Sequence, residues 1–303
     1  MTCTLTKIDS ISSENIENAY ICESRKLIAV TTPDLKLKVL SFAESLSEPT
    51  LVREFKNHVG AILGLAFAPP THHTYIITIG YDKTLNLYNL DDPKMTEPVY
   101  SYTEENDKVG YFTCVTFLPS EKSRLAFLVG SSTGYFLTFD SHSNFECKYK
   151  EVANGQIKSI TANEEGDVIV AAVGASPKLF FGFDFENGFE FPQNGQNLLK
   201  TTQVRFSSEI GLDEKSYLLS VCDDQSVGVW ELDHNVKMLR SVQILDLKTS
   251  VLYVQWNLGA MSFNAFCGRK EEKLSDLKVF RISSFERGEE ESWKISPVEI
   301  KTD

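Results

Sequence analysis

This 303-residue chain has no paired cysteines, no basic patch, no leader-like apolar stretch and no activated nucleophile, and each absence removes a class of function. The six cysteines (Cys3, Cys22, Cys114, Cys147, Cys222, Cys267) form no CxxC and share no short spacing, so simple zinc and redox readings fail. No basic stretch leads into an apolar signal region, no apolar run is long enough to span a bilayer, and there is no Asn-x-Ser/Thr sequon. These absences lead us to expect a reducing compartment, cytosol or nucleus. Lys and Arg number 30 against 42 Asp and Glu, a formal charge of -12. That field repels nucleic acid and anionic lipid, so neither is expected as a direct ligand. The densest basic stretch, Arg269-Lys270-Glu271-Glu272-Lys273, carries two glutamates of its own and reads as a solvated loop. No serine stands in a GxSxG context and no glycine-rich loop could cradle a phosphate.

What is present is a repeat. Residues 57–90, NHVGAILGLAFAPPTHHTYIITIGYDKTLNLYNL, hold three strand patterns in a row. Residues 62–68 alternate apolar with small and stop at Pro69-Pro70, which cannot donate to a ladder. Residues 75–79 are β-branched and aromatic, Gly80-Tyr81-Asp82-Lys83 has turn chemistry, and residues 85–88 resume the strand; residues 98–102 supply a fourth. A large residue closes each third strand: Leu40, Tyr88, Phe139, Phe183, Trp230 and Phe280, at steps of 48, 51, 44, 47 and 50. A period of roughly 40 to 50 residues with four short strands in each predicts an all-β fold, a WD-type β-propeller.

We therefore expect one domain over residues 1–303, with blades at about 10–56, 57–106, 107–154, 155–200, 201–247 and 248–303. The fourth is the most eroded, with a turn at Pro177 and a long loop expected over residues 187–197. The sixth has an expanded turn over residues 268–276. Residues 1–9, containing TCTLTKI, read as a lone strand belonging to no full blade. Length divided by a typical blade of about 43 residues gives seven blades, whereas the marks give six.

Most chemistry-bearing residues have structural readings. Adjacent His72 and His73 on an extended segment point opposite ways, which disfavours one metal. Asp34, Asp82, Asp223, Asp224 and Asp276 lie in or near turns, where Asp bonds its own backbone. The aromatics Phe180, Phe181, Phe183, Phe185, Phe189 and Phe191 suit blade cores, with Phe189 and Phe191 in the loop as candidates for a contact surface.

Three stretches resemble a known family: Ile16-Glu17-Asn18-Ala19-Tyr20 before Lys26-Leu27-Ile28-Ala29-Val30, the blade from Gly60 to Tyr88, and Val254-Gln255-Trp256-Asn257-Leu258. They are similar to the Sec-thirteen and Seh propellers, scaffold subunits of the COPII vesicle coat and of the nuclear pore Y-shaped complex. Tyr81-Asp82-Lys83-Thr84 and Trp256-Asn257-Leu258 are closer to the nucleoporin sister. The Gly-His and Trp-Asp dipeptides common in WD-repeat blades are absent.

The resemblance implies an open six-bladed ring into which an elongated α-helical nucleoporin or coat subunit inserts a seventh blade. It implies a noncatalytic scaffold in nucleocytoplasmic, mRNA or vesicular protein transport, located at the nuclear pore and nuclear envelope or on a vesicle coat at the endoplasmic reticulum. Membrane association would come only through the complex. Insertion is strand addition at an exposed sheet edge. The expected partner-binding residues flank that joint: Cys3, Leu5 and Ile8 on one side, Leu252, Val254 and Trp256 on the other. No catalytic, cofactor or metal residue is expected. The alternative is a closed seven-bladed adaptor that binds short peptides, with residues 1–9 and the tail completing the ring.

Overall fold

The computed structural model describes residues 17–42, 50–69, 72, 74–119, 124–163, 166–173, 176–182, 185, 188–191, 200–207, 215–248, 250–256, 262–267, 276–287 and 290–298. These form six four-stranded sheets in chain order. The first holds β1 (Asn18–Cys22), β2 (Leu27–Thr32), β3 (Lys36–Ser41) and β4 (Thr50–Phe55). The second holds β5 (Ile62–Phe67), β6 (Tyr75–Gly80), β7 (Thr84–Asn89) and β8 (Tyr100–Thr103). The third holds β9 (Phe112–Leu118), β10 (Ala126–Ser131), β11 (Tyr135–Asp140) and β12 (Lys148–Glu151). The fourth holds β13 (Ile157–Ala162), β14 (Val168–Val173), β15 (Ser176–Phe181) and β16 (Phe189–Glu190). The fifth holds β17 (Thr201–Phe206), β18 (Lys215–Cys222), β19 (Ser226–Asp233) and β20 (Met238–Asp246). The sixth holds β21 (Val251–Trp256), β22 (Ser262–Cys267), β23 (Asp276–Arg287) and β24 (Glu290–Val298). Each sheet is a meander whose neighbours in space are neighbours in sequence.

The turn before each third strand explains why four of these sheets repeat so closely. Leu35, Lys83, Gly134 and Gln225 each have positive φ and immediately precede the strand. Each donates its backbone N–H to the carbonyl three residues earlier, on Thr32, Gly80, Ser131 and Cys222. A left-handed residue closing a three-residue connection matches the twist of the strands it joins. At Gly134 the site admits nothing larger, because a Cβ would lie 1.9 Å from the carbonyl oxygen of Ala153.

The register also locates the repeated mark. Ile28 pairs with Leu40, Ile76 with Tyr88, Phe127 with Phe139, Leu218 with Trp230, and Phe263 with Phe280. In the fourth sheet Ile169 pairs with Phe180. Phe180, buried, therefore occupies the position that spacing alone assigns to Phe183, which lies outside the described residues. Pro177 is not the turn either: it pairs with Ala172 inside β15, and Val173 pairs with Ser176. Two residues rather than three separate β14 from β15, which moves the strand start and the mark with it.

The chain forms two compact units that divide between Lys158 and Ser159. In the unit that precedes the division, Ala29, Leu37, Val39 and Phe55 pack against Ile62, Leu65, Ile76 and Tyr88. The opposite face of the second sheet, with Ile77, Ile79 and Leu87, packs against Phe112, Phe127 and Phe139 of the third. In the other unit, Val168, Val170 and Leu179 meet Val204, Leu218 and Trp230, while Leu219 and Val229 meet Val254 and Phe263. A middle strand covered on both faces is buried throughout, as in β10 and β14, rather than alternating. All-β meanders stacked face to face in chain order make a propeller-like architecture within each unit.

Candidate functional site

The second sheet contains a buried cluster with the ingredients of acid–base chemistry. His58 lies in the segment leading into β5, Thr78 on β6, Asp82 in the following turn, and Thr84 and Asn86 on β7. His58 Nδ1 stands 3.1 Å from Asp82 Oδ2 and 2.9 Å from Thr84 Oγ1, and Nε2 stands 2.8 Å from Thr78 Oγ1. Asp82 accepts from the backbone N–H of Val59 at 2.8 Å, of Gly60 at 3.2 Å and of Thr84 at 3.0 Å. Asn86 continues the network, reaching His58 Nε2 at 3.3 Å and accepting from Ser101 Oγ on β8 at 2.8 Å.

Burial opposes ionisation of Asp82, yet the bonds from His58, Thr84 and Val59 together outweigh it and hold the carboxyl below its ordinary value of 3.8. A nucleophile or base must reach a substrate atom. Here the His58 side chain is 1% exposed and that of Asp82 5%, so the cluster is closed. Gly80 seals it, since a Cβ there would lie 2.3 Å from Asp82 Oδ1 and 2.5 Å from His58 Nδ1. The arrangement therefore clamps the entry segment of the second sheet onto its β6–β7 turn.

Of the other turn aspartates, Asp224 bonds a backbone N–H of its own turn as the sequence suggests. Asp224 accepts from Ser226 N at 3.1 Å, and Asp34 accepts from Thr32 Oγ1 at 2.5 Å while facing Lys36 at 3.1 Å. Asp223 donates its N–H to Lys200 O, and Asp276 begins β23. His72 Nε2 is 2.8 Å from the carbonyl of Arg124, whereas His73 lies outside the described residues. The thiols of Cys147 and Cys222 are raised by burial, Cys147 to about 11, which makes them inert small apolar residues at neutral pH.

Of the expected partner-binding residues, Cys3, Leu5 and Ile8 lie outside the described residues. Leu252, Val254 and Trp256 all fall on β21, the first strand of the sixth sheet, with β22 on one side. Val254 and Trp256 are buried against the fifth sheet, and the Trp256 indole donates to Arg205 O at 3.1 Å and sits 5.7 Å from the Phe263 ring. These two side chains thus anchor β21 to the fifth sheet.

The aromatic run divides in a way that alternation did not resolve. Phe191 is 2% exposed and its ring lies 4.9 Å from Trp230, so it belongs to the core between the fourth and fifth sheets. Phe189 is 57% exposed, and its ring centroid lies 6.0 Å from that of Phe181 in a T-shaped arrangement. Compared with models of known protein families and with curated proteins, the chain matches none.

Proposed function

We propose that this protein is a noncatalytic scaffold subunit, an open six-bladed WD-type propeller that receives a seventh blade from an elongated α-helical partner in a nuclear pore or vesicle coat assembly. The observation that supports this reading most directly is the register: six meander sheets each pair a second-strand residue with a large residue at the fifth position of the third strand. The closed state of the His58–Asp82 cluster supports a structural use of the best-assembled polar network. Strand addition needs only unpaired backbone at a sheet edge, and β1 and β21 are the first strands of the first and sixth sheets.

Affinity capture of the full chain from native cells, followed by mass spectrometry, tests the proposal. Large helical scaffold proteins of the pore or the coat among the principal partners support it, and which set appears decides the location. Mutual protection of the first and last ten residues from protease in the isolated chain would instead indicate a closed ring and a peptide-binding adaptor.

A further inference from the structure

The connection between β12 and β13, residues 152–156, is tied at both ends and free in the middle. At one end the N–H groups of Val152 and Ala153 both donate to Gly134 O, at 3.0 and 3.2 Å. At the other, the carbonyl of Ile157 accepts from Thr113 Oγ1 and, at 3.5 Å, from Cys114 Sγ. Between these anchors stands Asn154-Gly155. Asn154 is exposed, and among the described residues neither its side-chain amide nor the backbone N–H of Gly155 has a hydrogen-bond partner. Gly155 has φ of 124°, and a Cβ there would meet nothing within 4 Å, so the approach to its nitrogen is open.

Those are the conditions under which an asparagine reacts with its own backbone. The nitrogen of the following residue, once it gives up its proton, is a nucleophile placed to close a five-membered ring on the side-chain carbonyl carbon. A hydrogen bond to either group obstructs that approach, and so does a side chain on the following residue, which glycine lacks. Asn106 is the contrast. It is also exposed, but its Oδ1 accepts from Lys108 N at 3.1 Å and the next residue is Asp107. Asn163 is buried and held through both side-chain atoms, donating to Asp167 Oδ1 at 2.6 Å and accepting from Val168 N at 2.9 Å.

We propose that Asn154 is a site of spontaneous deamidation and isomerisation. Gly155 N attacks Asn154 Cγ, the new C–N bond closes a succinimide, and the side-chain nitrogen leaves as ammonia with the proton that Gly155 N gave up. Water then opens the ring. Addition at Cγ gives aspartate; addition at the main-chain carbonyl gives isoaspartate, in which the backbone runs through Cβ and Cγ. Either product adds a negative charge to the connection. Isoaspartate also lengthens a short span between two anchors by one backbone atom. The bonds on Gly134 O, which end one residue before Asn154, are the nearest that can give. The freed α-carboxylate is the group that isoaspartyl methyltransferases esterify, so the aged chain is a substrate for that class of enzyme. This site does not depend on the scaffold reading and stands if that reading fails.

The test ages the full chain in mildly alkaline buffer and locates the product by methyl transfer from an isoaspartyl methyltransferase and by peptide mapping. A gain of about 1 Da per converted amide is expected, with isoaspartate at residue 154. It should form at least about tenfold faster than any product at Asn106, and more slowly in mildly acidic buffer, where the Gly155 nitrogen keeps its proton. Asn154→Gln should lose the product, because the corresponding ring has six members. In the aged chain, hydrogen exchange at the amides of Val152 and Ala153 should quicken, with those of β10 and β11 unchanged as the control for folding. The Asn-Gly dipeptides at 187–188 and 194–195 are separate sites in the map, and conversion confined to them overturns the proposal. So does a rate at Asn154 no greater than at Asn106, or isoaspartate at residue 154 only after unfolding in urea, which would mean that the fold holds the connection closed.

Discussion

His58 Nδ1 and the Asp82 carboxylate meet at 3.1 Å across 24 residues of sequence, with both side chains enclosed. That contact joins the segment entering the second sheet to the turn between its middle strands, so its loss should be felt as stability rather than as activity. Because the fold holds Asp82 below its ordinary 3.8, the ionised form stabilises the protein at every pH above about 4. This contribution is lost as pH falls from about 4 toward the lower folded value. Asp82→Asn should cost about 2 kcal/mol at pH 7, and urea titrations should show the gap to the unsubstituted protein narrowing below about pH 4. A gap independent of pH would mean that the carboxylate charge contributes nothing.

His58→Ala should cost a similar amount, about 2 kcal/mol, since it leaves Asp82 and Thr78 enclosed without their shared partner. The two losses should not add. A double-mutant cycle with Asp82→Asn should return a coupling of about 1 kcal/mol or more, whereas additive losses would show that the residues act separately.

Gly134→Ala tests the repeated turn. Its φ of 97° is the left-handed region that favours glycine, and a Cβ would press on Ala153 O at 1.9 Å. A loss above about 2 kcal/mol is expected from strain and displacement together. Gly155→Ala is the comparison: it has φ of 124° with nothing within 4 Å, so it bears the backbone penalty without the collision and should lose less.

Most strand positions were legible because their signals are local: apolar alternation in residues 62–67, Pro69 after it, and Gly80-Tyr81-Asp82-Lys83 between two β-branched runs. The His58 network was not, because a side-chain bond between two loops leaves no trace in a period-two pattern. Asp82 was read only as a turn residue, and its bond from Thr84 N fits that reading while omitting the histidine. The mark in the fourth sheet was misplaced for a different reason. Phe180, Phe181 and Phe183 offer two acceptable registers, and only the short connection between Val173 and Ser176 selects Phe180.

That register makes a stability prediction. Phe180 is buried and packs edge-on against Phe185 at 5.9 Å, so Phe180→Ala should cost about 3–5 kcal/mol by emptying a closed site. Phe189→Ala removes a ring that is mostly in water and should cost under about 1 kcal/mol. Equal losses in thermal or urea unfolding would mean that the fourth sheet is registered differently.

The proposed seventh-blade joint is tested at the N-terminus and on the edge strand β21. If residues 1–8 lie beside an inserted strand and present Leu5 to a shared core, Leu5→Lys places a charge there without a counter-charge. Capture of the helical partner should fall at least about tenfold, while the urea midpoint of the isolated chain stays unchanged. Val254→Ala should act differently, because Val254 is already buried against the fifth sheet in the chain itself. It should lower the chain's own stability by about 1–3 kcal/mol and reduce capture only in proportion to the folded fraction. Phe189→Ala, on the fourth sheet, should leave capture intact. Full capture by the Leu5→Lys chain together with loss in the Phe189→Ala chain would move the partner contact from the N-terminal segment to the outer edge of the fourth sheet.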